Sequence, residues 1–89
     1  MKVSYLEVTF RHGRPFAAYL YLPRQPKDRS YRTECVEPGL VIDYNRAGNP
    51  IGIEITAPRK LSVAALNQVL RRLGVPTVKR ADLAPLRAA

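Results

Sequence analysis

The sequence holds one cysteine, Cys35, one histidine, His12, and no tryptophan. A single cysteine excludes an intrachain disulfide, the usual staple of a small extracellular domain. With one histidine, no convincing nucleophile–histidine–acid set can be assembled, and no residues cluster with metal-ligand spacing. No apolar run approaches the roughly 20 residues that a membrane-spanning helix needs. The start, Met1 to Tyr5, lacks the charged opening and apolar stretch of a secretory leader. No glycine-rich loop follows a strand and opens a helix: Gly48-Asn49-Pro50-Ile51-Gly52 falls inside a hairpin pattern, the wrong context for a phosphate cradle. These absences predict a cytoplasmic, non-catalytic protein with no cofactor, no metal and no membrane partner.

What is present is a basic chain of 89 residues, short enough to be one domain with one modest core. The formal charge of +8 is unevenly spread: residues 1–33 carry +5, residues 34–58 carry −3 and residues 59–89 carry +6. Basic ends attract nucleic acid or acidic partners without specifying chemistry. Arginine outnumbers lysine eleven to four, which a GC-rich genome explains as readily as selection for bidentate contacts.

Residues 2–10 read as a strand whose apolar positions change parity near Tyr5-Leu6, predicting a bulge there. Arg11-His12-Gly13-Arg14 is a turn. Residues 15–22 are apolar on both faces and belong inside the sheet. Residues 23–30, with Pro23 and Pro26, form a polar loop, and residues 31–36 a weaker strand. Glu37-Pro38-Gly39 turns the chain, with Pro38 presetting φ and Gly39 taking a left-handed position. Leu40 to Tyr44 and Ile51 to Thr56 make the best hairpin. Pairing Tyr44 with Ile51, Ile42 with Ile53 and Leu40 with Ile55 builds one apolar wall. Ser62 caps a helix with Leu61 and Leu66 as its hydrophobic staple. Val63, Leu66, Val69, Leu70 and Leu73 form its stripe, and Gly74 and Pro76 end it. Residues 75–89 read as a tail or a short helical turn started by Asp82, leaving the core in about residues 2–74. The expected fold is therefore α+β: an antiparallel β-meander of four to five strands with one amphipathic helix packed on one face.

Val36-Glu37-Pro38-Gly39-Leu40-Val41-Ile42-Asp43-Tyr44, then Gly48, then Ile51-Gly52-Ile53-Glu54-Ile55, resembles the core signature of the domain-of-unknown-function 2283 family (YuzE-like small bacterial proteins). Phe16 to Leu22 looks like that family's second strand. The resemblance spans about residues 2–60 and implies a compact β-meander plus helix. It brings no biochemical activity. Some members are suspected of forming small toxin–antitoxin-like pairs, which implies a partner. Where members often carry acids before the second strand, this chain has Arg14-Pro15-Phe16-Ala17.

Two readings of function follow. In the first the chain is a protein-interaction module, either a homodimer or the partner of another small protein. In the second it binds RNA or DNA through the basic loop and helix end. The candidate contacts for either are Arg24, Lys27, Arg29, Tyr31, Arg32, Arg71 and Arg72, since single-stranded sites combine cations along the backbone with rings under bases. Tyr19 and Tyr21 add ring surface if their face is open. Asp43 and Glu54 share a hairpin face and would suit acid–base work only if burial split them, while solvated strand residues are the simpler account. His12 reads as a turn residue and Cys35 as a buried, inert thiol.

Overall fold

The computed structural model describes residues 4–37 and 39–87. The expected strand start at Lys2 and Val3, the role of Pro38 and the tail end at Ala88 lie outside them. Five strands, β1 (Tyr5–Arg11), β2 (Arg14–Tyr21), β3 (Arg32–Glu37), β4 (Leu40–Tyr44) and β5 (Pro50–Ile55), form one sheet in the order β1-β2-β5-β4-β3, every neighbour antiparallel.

This order corrects the expected meander. Only β3, β4 and β5 follow one another. β2 pairs with β5, so the chain leaves β2 and crosses the ends of β5 and β4 to begin β3 at the far edge, which makes β2 to β5 a Greek key. The physical reason lies in the connection. Three strand spacings amount to about 14 Å, and residues 22–31 easily span that, while Pro23 and Pro26 keep the segment from pairing on the way.

The turn after β1 places both His12 (φ 55) and Gly13 (φ 75) in the left-handed region, the primed hairpin geometry that matches strand twist. The bulge of this first hairpin falls between Thr9 and Phe10, where β2 supplies the extra residue, and not near Tyr5-Leu6. In the central hairpin Ile42 faces Ile53 and Leu40 faces Ile55, as expected, but Tyr44 faces Pro50 because the register slips by one between Asp43 and Tyr44. Pro50 has no N–H to donate. The slip sets Ile51 apart, and its carbonyl accepts from the Leu22 amide at 3.1 Å and from Arg24 Nη1 at 3.3 Å.

Helix α1 (Val63–Arg72) begins as its sequence dictates, with Ser62 Oγ accepting from the Ala65 amide at 3.0 Å. It ends in a Schellman pair: the Gly74 amide donates to Arg71 and the Val75 amide to Leu70, with Gly74 at φ 72. Leu66, Val69 and Leu70 pack with Ala18, Leu20, Leu40, Ile42, Ile53 and Ile55 on one face of the sheet.

That face has more cover than one helix. A 3-10 turn (Pro58–Lys60) precedes α1, and a longer 3-10 helix (Arg80–Arg87) follows it. Leu83 and Leu86 of the latter are 2% and 1% exposed, inside the same core cluster. Of the two readings of residues 75–89, the helical one fits, and it extends the core past the expected limit at residue 74. The chain between is strapped to α1 by Asn67, whose amide donates to the Val78 carbonyl at 2.9 Å and accepts from its N–H at 2.8 Å. Asp82 Oδ2 then accepts from the Lys79 amide at 2.8 Å. Among the described residues no helix is long and apolar enough to cross a membrane.

Candidate functional site

Strand alternation divides the side chains between two faces. On the covered face the rows Leu6, Leu20, Ile53, Ile42 and Val8, Ala18, Ile55, Leu40 meet the helices. Two rows run across all five strands on the opposite face. One is Tyr5, Tyr21, Gly52, Asp43 and Thr33; the other is Glu7, Tyr19, Glu54, Val41 and Cys35. Neither Glu7 nor Glu54 is covered, and Tyr5 is 46% exposed. Cys35 is exposed too, correcting the buried reading, because an odd residue of edge strand β3 points to this open face.

Aromatic rings organise that face. Tyr5 stacks on Tyr21 with centroids 4.3 Å apart, and Tyr19 meets Tyr21 edge-on at 4.7 Å. Tyr19 belongs to β2 yet reaches β4: its hydroxyl donates to Asp43 Oδ2 at 2.7 Å. To do so the ring must lie across β5, and it passes directly over Gly52, where a Cβ would overlap it. The Tyr21 hydroxyl donates to Glu7 Oε1 at 3.3 Å. Asp43 is therefore engaged by a phenol, while Glu54 stands diagonal to it in the open.

The environment of three phenols favours their neutral form. Burial, and then the hydrogen bond and charge of Asp43, push Tyr19 far above the usual phenol range. Burial and Glu7 raise Tyr21. Burial and Glu34 raise Tyr44, whose hydroxyl donates to Glu34 Oε1 at 2.9 Å, while Arg32 and Arg72 pull it partly back. Unfolded, each loses its proton near pH 10; folded, each keeps it longer. The stability these phenols contribute is therefore whole below about pH 10 and lost as the pH rises through their folded values. Tyrosinate absorbance of the native protein should lag that of the urea-unfolded protein during alkaline titration, and Tyr19→Phe should remove the largest part of the lag. Coincident curves would contradict this.

The seven residues proposed from sequence are dispersed. Arg24 is half-buried at the end of the open face, beside Glu7, Tyr19 and Tyr21: its guanidinium donates to the carbonyls of Ile51 and Asp28 and lies over the Tyr21 ring, 5.6 Å from its centroid. Arg32 lies over the Tyr44 ring at 4.1 Å, and Arg72, in the last turn of α1, acts on the same phenol. Arg71 shares that turn and is exposed. Lys27, Arg29 and Tyr31 come together on the crossover, and the structure adds a residue the sequence reading missed, Arg46, whose guanidinium lies 5.5 Å from the Tyr31 ring centroid. Its place in the β4–β5 turn, Asn45-Arg46-Ala47-Gly48, carried no sign of the neighbouring loop. Among the described residues no group of three or more histidine, cysteine, aspartate or glutamate side chains is placed to share a metal ion.

Residues 17–57 match the family model described as Protein of unknown function (DUF2283), so the resemblance read from the residues holds over that segment. The match begins in β2 and ends just past β5, which is the Greek key itself. No curated protein matches the chain, and no solved structure matches it.

Proposed function

We propose that this chain is a non-catalytic protein-interaction module whose open sheet face receives a basic polypeptide. One observation carries the reading: a protein of net charge +8 presents a face bearing Glu7, Asp43 and Glu54 around stacked tyrosines. Carboxylates beside aromatic rings suit lysine and arginine side chains, which take an ion pair and a ring face together. Tyrosine also supplies contact area at low entropic cost. A second copy docking through the same face would set acids against acids, which opposes association. This favours a different small protein over a homodimer, in keeping with the paired partners implied by the family resemblance.

The test is an NMR titration of the full chain with an arginine- and lysine-rich octapeptide. Shifts should centre on Tyr5, Tyr21 and Glu54, and Glu7→Lys with Glu54→Lys should abolish them. Shifts elsewhere, or equal binding by the charge-reversed variant, would refute the reading. A dimer in light scattering that is lost on Tyr5→Glu would place a second copy on the face instead.

A further inference from the structure

The crossover end carries a second surface, of opposite character and far from any need of the core. Residues 25–31 lie beside the β4–β5 turn, and a shallow cleft of about 440 Å³ opens between them. Its lining includes the exposed cations Lys27, Arg29 and Arg46, and Tyr31, which is 65% exposed. An aromatic this exposed contributes little to folding, and here the Arg46 guanidinium lies over one face of its ring.

The segment is held rather than loose. Asp28 Oδ2 accepts from the Gln25 amide at 2.9 Å, and its Oδ1 accepts from Asn45 Nδ2 at 3.1 Å. Arg24 Nη2 donates to the Asp28 carbonyl at 2.8 Å. Asn45 meanwhile closes its own turn, its Oδ1 accepting from the Asn49 amide at 2.9 Å. These bonds fix crossover and turn as one unit. They also occupy the only carboxylate in the cleft lining, and the Gln25 amide, followed by Asn45, holds Asp28 below its usual range. What faces outward is one ring and three exposed cations carried on a stretch of backbone that is already held, so less chain has to be ordered on binding.

We infer that this cleft binds single-stranded nucleic acid, with one base stacked on Tyr31 and the flanking phosphates held by Lys27, Arg29 and Arg46. The ring decides between strand types. A lone exposed ring needs a base whose face is free, and a duplex keeps its base faces inside the stack. An acidic peptide would use the cations but leave Tyr31 without a counterpart.

The experiment is fluorescence anisotropy of short labelled oligouridylate and oligothymidylate with the full chain, between about 50 and 200 mM salt. Both strands should bind, and three phosphate contacts give a log–log salt slope of about −2. Preference for oligouridylate would assign the site to RNA, and equal binding to any single strand. Tyr31→Ala should weaken binding roughly 5- to 150-fold, the range for one stacked base, while Tyr31→Phe should keep it. Arg46→Gln should flatten the slope by about 0.7. Arg59→Gln, at the other end of the sheet, removes the same charge and should change little. The inference is overturned if Tyr31→Ala binds like the unaltered chain. It is overturned equally if Arg59→Gln weakens binding as much as Arg46→Gln, or if a duplex of equal length binds as well. The octapeptide titration of the open face reads a different surface and is independent of all these results.

Discussion

Replacing Leu83 and Leu86 together by alanine should unfold the domain. Each is almost fully enclosed in the core cluster. A buried leucine-to-alanine change costs about 2–5 kcal/mol. Whole-domain stability at roughly 0.05–0.15 kcal/mol per residue amounts to about 4–13 kcal/mol here, so the pair removes most or all of it. The two leucines work together because a 3-10 helix repeats every three residues and sets positions 83 and 86 on one side. Urea unfolding followed by circular dichroism checks this. Leu83→Ala alone should lower stability by about 2–5 kcal/mol, and the exposed Arg80→Ala by less than about 0.5 kcal/mol. A double variant with an unchanged midpoint would show that the C-terminal helix is not part of the core.

The second large effect is at Gly52, and there the sign is the test. Glycine inside a strand is normally unfavourable by about 0.5–1 kcal/mol relative to alanine. Gly52→Ala should nonetheless destabilise, by about 1–3 kcal/mol, because the new methyl occupies the space of the Tyr19 ring. Displacing that ring also breaks its hydrogen bond to Asp43. In a Tyr19→Ala background the obstacle is gone, so the same Gly52→Ala change should stabilise by about 0.5–1 kcal/mol. Coupling of this kind between touching residues is what a double-mutant cycle isolates. If Gly52→Ala has the same sign in both backgrounds, the ring does not lie over β5 as described.

How far the sequence reveals this molecule depends on whether the signal is local. Ser62, Gly74 and the leucine stripe report the helix because caps and periodicity act within a few residues. Ile42 with Ile53 and Leu40 with Ile55 are legible because a short turn and strict alternation fix their register. The crossover is not legible: nothing in Pro23 to Ser30 says which strand the chain will rejoin, and consecutive pairing is the simpler guess. The bulge at Ile51 had a sign in Pro50, a strand position that lacks a donor. Gly52 had one too, since glycine in a strand often marks a close approach, though not which ring approaches. The C-terminal helix is half legible: Asp82 points to a short helical turn, but Pro85 and a three-residue spacing do not match α-helical periodicity, so its length and its place in the core do not show. Arg46 became part of a site only once the crossover was known to lie beside its turn.

The Greek-key connection also orders the folding of the chain. β1 with β2, and β3 with β4 and β5, pair residues close in sequence and need only small loops to close. The β2–β5 seam joins Ala18 to Ile55 and Tyr21 to Gly52 across the whole intervening chain. Closing so long a loop loses entropy before its contacts repay it. The β2–β5 seam through Leu20 and Ile53 is thus the pairing with the largest loop-closure entropy in the sheet, and substitutions there are expected to slow folding more than substitutions in either local hairpin.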